Sequence, residues 1–284
     1  MEIPFITTED TEKNTPTMEI PFIRGILRVQ CPCIGIGRVR MKAIILSAGQ
    51  GKRLLPLTAD IPKCSILLGR KTILEWQIDV IKKCGIEDVV VVLGYQAGKV
   101  EQHLEERYGK GCVRTVFNPF YAVSDNLGTC WIVRGEMNED FLLLNGDTLF
   151  TPSILQRVLE SPPHPITVTV NVKDRYDEDD MKVGLEGERL VRIGKDIPRE
   201  RVQAESIGML LFRGEGPSIF SRAVEDAMRM PEGTRRWYLS VIDALARRMP
   251  VWSCSITGLP WVEIDVPEDL KQAELVIREI DLDA

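Results

Sequence analysis

The chain has 284 residues and a formal net charge of −6, with 44% hydrophobic and 27% charged residues. This is the composition of a globular protein with room for one large α/β domain or two small ones, and it excludes collagenous, fibrous and low-complexity classes. The acidic balance argues against a general nucleic-acid binder, which carries a basic stripe, and no run of about 18 apolar residues reads as a membrane span.

The first forty residues stand apart. MEIPFI occurs at Met1–Ile6 and again at Met18–Ile23, around a polar stretch with no apolar period. Two copies do not make a repeat array. The extreme N-terminus lacks a basic region ahead of an apolar one, so no secretory signal is read there. Residues 1–40 therefore read as a loosely ordered extension, and residues 41–284 as the folded domain. The seven cysteines, Cys31, Cys33, Cys64, Cys84, Cys112, Cys130 and Cys254, are scattered and odd in number, which suits a reduced, cytoplasmic protein.

From Met41 the pattern is regular. Lys42–Ser47 reads as a buried strand rich in β-branched residues, and a Gly-rich loop follows it. Thr72–Gly85 reads as a helix opened by a Thr72/Glu75 capping box. Glu87–Leu93 is a strand, Ala97–Tyr108 a helix, Val113–Phe117 a strand, Asp125–Glu136 a helix, Phe141–Asn145 a strand and Pro152–Glu160 a helix. The alternation predicts an α/β fold: a Rossmann-like, doubly wound, mostly parallel sheet. The second half is richer in strands, at Ile166–Val172, Met181–Leu185, Leu190–Ile193 and Ser206–Phe212. Helices follow at Gly216–Met228 and Trp237–Arg248, then strands at Val251–Ile256 and Trp261–Ile264, and a last helix over Pro267–Ile280 with proline in its first turn. The strand-rich half reads as an insertion on the acceptor side of the domain.

The strongest local signal is Ser47–Lys63, SAGQGKRLLPLTADIPK. Gly49 and Gly51 let backbone N–H groups face a phosphate without Cβ interference. Lys52, Arg53 and Lys63 can place three positive charges around a triphosphate. A P-loop is excluded, because Leu46 stands where its first glycine belongs and Arg53 replaces Ser/Thr. A dinucleotide loop is excluded by Leu54 in place of the third glycine.

This loop resembles the opening of the nucleoside triphosphate transferase family, the sugar-nucleotide pyrophosphorylases and related cytidylyltransferases. That family opens A-A-G-x-G-[ST]-R-[LM]-x-P-L-T, then P-K. Here Ser47-Ala48-Gly49-Gln50-Gly51-Lys52-Arg53-Leu54-Leu55-Pro56-Leu57-Thr58 precedes Pro62-Lys63. The resemblance extends through Leu68-Gly69-Arg70-Lys71, Val92-Leu93-Gly94-Tyr95, Asn145-Gly146-Asp147 and Glu263-Ile264-Asp265. It implies that Ala48, Gly49, Gly51 and Lys52 bind nucleotide, and that Asn126-Leu127-Gly128-Thr129 is the base-binding stretch, with Asn126 for the family's Gln. Capping of the nearby helix is the competing reading of Asn126. Gly194-Lys195 resembles the position that meets the acceptor phosphate, and Ser206-Ile207-Gly208 the strand that follows it.

The chemistry agrees with these positions. Nucleotidyl transfer expels pyrophosphate from an NTP, and its nucleophile is already a phosphate oxyanion, so no Ser-His pair is needed. His103 and His164 lie outside every motif. The reaction needs charge control. Asp147 and Asp265 each follow an apolar strand run, and strand C-termini line the ligand crevice of a doubly wound sheet. The two carboxylates suit Mg²⁺. Arg53 and Lys63 would stabilise the transition state and pyrophosphate, and Lys195 would hold the acceptor. The acidic run Asp174–Asp180 lacks EF-hand spacing and reads as a solvated loop.

Within the family the chain is most similar to bacterial-type choline-phosphate cytidylyltransferases, which implies CTP and phosphocholine. A quaternary ammonium favours aromatic faces, and Tyr121, Trp237, Tyr238 and Trp261 are available. Core packing is the competing reading for Trp237 and Trp261. A sugar-1-phosphate with UTP, dTTP or GTP is the alternative acceptor, and inositol phosphate a third. A regulatory subunit that binds nucleotide without turnover, and a molybdopterin nucleotidyltransferase, are further readings. The expected partners are an NTP and a small phosphorylated acceptor, with no nucleic acid, in a monomer or homodimer.

Overall fold

Lys42–Ser47, Asp88–Leu93 and Phe141–Asn145 are almost unbroken aliphatic runs, as strands covered on both faces must be. The computed structural model describes residues 41–282, and places these runs side by side as interior strands of a nine-stranded sheet. The expected extension over residues 1–40 lies outside the described residues. In chain order the elements are β1 (Lys42–Ser47), β2 (Leu67–Leu68), β3 (Lys71–Thr72), α1 (Ile73–Lys83), β4 (Asp88–Leu93), α2 (Ala97–Tyr108), β5 (Arg114–Phe117) and α3 (Asn126–Val133). Then come β6 (Phe141–Asn145), β7 (Thr148–Phe150), α4 (Pro152–Leu159), β8 (Ile166–Asn171), β9 (Lys182–Glu186), β10 (Arg189–Gly194) and β11 (Ala204–Phe212). The chain finishes with α5 (Gly216–Met228), α6 (Leu239–Ala246), β12 (Trp252–Ser255), β13 (Trp261–Glu263) and α7 (Asp269–Leu282).

The sheet order is β5-β4-β1-β6-β11-β8-β12-β10-β9. Strands β5, β4, β1 and β6 are parallel, β11 runs against them, and β8 and β12 resume the first direction. The β9–β10 hairpin adds the strand-rich edge expected on the acceptor side. Alternation along each strand feeds two cores. Ala43, Ile45, Val89 and Val91 pack with α1, α2, α4 and α7 on one face, while Ile44, Val90, Val92 and Leu143 pack with α3, α5 and α6 on the other. The sheet is therefore doubly wound. The capping box of α1 is present: Thr72 Oγ1 accepts from Glu75 N–H (3.1 Å) and Glu75 Oε2 from Thr72 N–H (2.7 Å). Among the described residues no helix is long and apolar enough to cross a membrane.

Three helices differ from expectation. The helix expected over Asp125–Glu136 is α-helical only to Val133 and then tightens into a 3₁₀ turn, Arg134–Glu136, around Gly135, whose backbone freedom disfavours further α-turns. The helix expected from Trp237 starts at Leu239. The last helix starts at Asp269, past Pro267, because the Asp269 carboxylate accepts from the N–H groups of Asp265 (2.7 Å) and Val266 (2.8 Å) and closes a turn first. The sequence reading also omitted β7. This strand matters most for the site: it pairs antiparallel with β13, setting Glu263 opposite Thr148, and Ile264 N–H donates to Asp147 C=O at 3.0 Å.

Candidate active site

A cavity of about 490 Å³ opens at the C-terminal ends of β1 and β6. A second, of about 550 Å³, adjoins it and shares Gly49, Arg53, Tyr121, Asp147 and Asp265. The loop after β1 forms one wall. A Cβ on Gly49 would meet nothing within 4 Å, so the backbone there is open to a ligand. Gly51 has a different reason to be glycine: its φ is +78°, and a Cβ would lie 2.8 Å from Lys63 Cβ. Thr58 Oγ1 donates to Gly51 C=O (2.8 Å) and holds the loop closed.

The small sheet of β7 and β13 brings distant carboxylates together. One oxygen each from Asp147, Glu263 and Asp265 lies within 4.8 Å of the others. Lys63 Nζ donates to Asp147 Oδ2 and Asp265 Oδ1, both at 2.7 Å, and Arg53 Nη2 lies 2.7 Å from Asp265 Oδ2. Burial pushes the Lys63 ammonium toward neutrality, but Asp147 and Asp265 outweigh it and hold the pKa above the usual lysine value. Asp265 is likewise desolvated, yet Lys63 and Arg53 keep its pKa below the ordinary carboxylate value. Glu263 is pushed up to about 8, by burial first and then by Asp147 and Asp265. Asp147 Oδ1 is buried with no hydrogen-bond partner. A buried carboxylate oxygen left unpaired among hard oxygen donors is what a divalent cation would satisfy, so the triad can hold one.

On the far side of the cavity Lys195 Nζ lies 4.9 Å from the Trp237 ring centroid. Asp179, from the acidic run, lies 3.5 Å from Arg53 and 3.4 Å from Lys195. The run is solvated as expected, and Asp179 is itself exposed, but its carboxylate also faces these two cations.

The expected site residues divide. Ala48, Gly49, Arg53, Tyr121, Asn126, Thr129, Asp147, Lys195, Gly208, Trp237 and Asp265 line the first cavity, and Gly51, Lys52 and Lys63 the adjoining one. Tyr238 lines neither. It is fully buried, and its hydroxyl donates to Asn145 Oδ1 at 3.2 Å, so it offers no face to an acceptor. Gly128 lies within α3, where a Cβ would meet Ser124 Oγ at 2.6 Å, so its smallness serves packing. Asp125, not Asn126, holds the N-cap position of α3, and Asn126 Oδ1 accepts from Tyr238 N–H at 3.0 Å. Trp261 sits on β13 against the core. His103 pairs with Glu75 and His164 stacks on Trp252, both outside the two cavities. Glu263 was missed as a ligand, although it ends β13 only two residues before Asp265 and its carboxylate meets those of Asp147 and Asp265.

Comparison with known proteins agrees with this geometry. A choline-phosphate cytidylyltransferase of Streptococcus pneumoniae is 37% identical over 110 residues, which are 39% of this chain and 46% of that protein. A bifunctional IPC transferase and DIPP synthase of Rubrobacter xylanophilus is 28% identical over 248 residues, 85% of this chain and 53% of that protein. The matches thus span about half the length of these relatives. The solved inositol-1-phosphate CTP transferase from T. maritima superposes with a TM-score of 0.73 at 22% identity, over 86% of this chain and 97% of that one, and so shares the fold. The MobA-like NTP transferase domain model matches residues 43–243, a span that runs from β1, through the glycine loop and Asp147, to α6, and the chain belongs to that family.

Proposed function

We propose that the protein is a Mg²⁺-dependent nucleotidyltransferase that joins an NTP, CTP foremost, to a small polyhydroxylated phosphate ester and releases pyrophosphate. The observation that carries the reaction is the charge arrangement at the strand ends. Two cations, Arg53 and Lys63, and three carboxylates, Asp147, Glu263 and Asp265, meet beside the open backbone of Gly49. The acceptor phosphate is its own nucleophile, so the protein need only align it and control charge. Backbone N–H groups near Gly49, with Lys52, cradle the triphosphate. Arg53 and Lys63 balance the charge that grows on the pyrophosphate oxygens. Lys195 orients the acceptor phosphate, and the amide of Asn126 reads the base edge. Asp147, Glu263 and Asp265 would hold Mg²⁺, which when bound draws negative charge from the α-phosphate. A regulatory role without turnover is disfavoured, since the carboxylates and loop cations are all retained.

Trp237 supports this acceptor class. Its ring already carries the Lys195 ammonium, and Tyr238 is buried, so fewer aromatic faces are left for a quaternary ammonium than expected. A polyol phosphate asks instead for polar partners, which Ser124, Asn145 and Ser206 supply along the cavity. The long match to the R. xylanophilus enzyme and the fold shared with the inositol-1-phosphate CTP transferase support this reading. A sugar-1-phosphate with UTP, dTTP or GTP is the second reading, favoured by the same covered ring. The test is pyrophosphate release with Mg²⁺ in a grid of five NTPs against inositol phosphates, sugar-1-phosphates and phosphocholine. Turnover of CTP with an inositol phosphate is expected. Turnover with phosphocholine alone would overturn the acceptor class, and silence across the grid the enzymatic reading.

A further inference from the structure

Asp179 spans the two cations assigned to opposite substrates. Its Oδ2 lies 3.5 Å from Arg53, on the triphosphate side, and its Oδ1 lies 3.4 Å from Lys195, on the acceptor side. The loop that carries it is fixed from both directions. Tyr176 donates to Gln203 C=O (3.0 Å), and Asp180 pairs with Lys173 (2.9 Å), which also pairs with the buried Glu205 (2.6 Å). The buried Lys182 donates to Glu178 C=O (3.2 Å) and to Lys195 C=O (3.1 Å), tying the backbone beside Asp179 to that of its partner. The Asp179 side chain itself is 79% exposed and makes no other ion pair among the described residues. It ends a string of alternating charge: Asp179, Arg53, Asp265, Lys63, Asp147.

We propose that Asp179 is an internal anion that occupies Arg53 and Lys195 in the substrate-free protein and competes with substrate phosphates for them, so that it sets the pocket's affinity for anions. Phosphates that take the two cations leave Asp179 an unpaired carboxylate beside new negative charge, and both effects weaken binding. This rests on the reading of Arg53 as a phosphate-binding cation, and one ligand tests the two separately. Magnesium pyrophosphate, the product of every reaction of the proposed type, is titrated calorimetrically into the full-length chain, into Asp179→Asn and into Asp174→Asn. Asp174 lies on the same loop and makes no hydrogen bond or ion pair among the described residues, and its change alters net charge equally. Asp179→Asn is expected to tighten binding roughly threefold to tenfold at low salt, the range for two exposed ion pairs, with the gain shrinking as salt rises. Asp174→Asn is expected to stay within about twofold. Unchanged or weaker binding by Asp179→Asn, or an equal gain from Asp174→Asn, overturns the internal anion while leaving the reaction class standing. No pyrophosphate binding by the unaltered chain overturns both.

Discussion

Gly208 lies in the middle of β11 with φ at +72°, where the pairing with β8 shifts register between Ser206 and Leu210. A Cβ there would fall 2.3 Å from Asn145 Nδ2 and 2.6 Å from Asn145 Cγ. Asn145 ends β6, two residues before Asp147, and its side chain accepts the buried Tyr238 hydroxyl. Gly208→Ala therefore acts twice. The left-handed backbone costs about 1–2 kcal/mol for an alanine, and driving Asn145 aside adds the roughly 1–3 kcal/mol typical of an overpacked site. The total of about 2–5 kcal/mol corresponds to a fall in Tm of roughly 5–15 °C for a domain of this size. Pyrophosphate release should fall with it, because the displaced side chain adjoins Asp147. The decisive comparison repeats the substitution in an Asn145→Ala background. There the Nδ2 and Cγ collisions are gone and only a tight 3.0 Å approach to Cβ is left, so the cost should fall toward the backbone share of about 1–2 kcal/mol. Circular-dichroism melts of the four proteins give the coupling directly. A Gly208→Ala melt within about 2 °C of the parent, or an equal cost in both backgrounds, would refute the role of Gly208 as the space that Asn145 needs.

Two further predictions concern charge. Lys63→Met leaves Asp147 and Asp265 without the ammonium that joins them at 2.7 Å, so the metal-free variant should lose about 3–5 kcal/mol. Saturating Mg²⁺ should restore more Tm to the variant than to the parent, whereas equal shifts would show that carboxylate repulsion is not the cause. Glu75 is raised by burial, but hydrogen bonds from Thr72 and the His103 contact outweigh this and its pKa is lowered overall. A lowered native pKa means stability present at neutral pH and lost as the pH falls through that value. Glu75→Gln should thus cost about 1–3 kcal/mol near neutrality, from lost charged hydrogen bonds, and progressively less in acid. Urea unfolding across that range checks it, and a gap independent of pH would contradict the assignment.

How much of this could be read from the chain alone depended on the range of the interaction that fixes each feature. Strands β1, β4 and β6 are specified by their own apolar runs, and α1 by its capping box, so their bounds were legible to within a residue or two. The turn of Asp269 onto Asp265 and Val266, which moves the start of α7, is also local, but there a side chain outcompetes the proline signal. The site itself is assembled by pairing across the chain. Strand β7 is three residues long and exists because β13 pairs with it, and that pairing delivers Glu263 and Asp265 to Asp147. Neighbouring residues can also separate with no local warning. Trp237 is 41% exposed at the cavity while Tyr238 is fully buried, since their orientation is set by Asn126 and Asn145 on other elements. Asp179 makes the same point for charge. Nothing within the acidic run distinguishes it from its neighbours. The contacts of Tyr176 with Gln203, of Asp180 with Lys173 and of Lys182 with Glu178 and Lys195 hold the loop in place, and with it decide which carboxylate reaches the two cations. Charge composition therefore locates an acidic loop, whereas only its anchoring tells whether one of its members belongs to the active site.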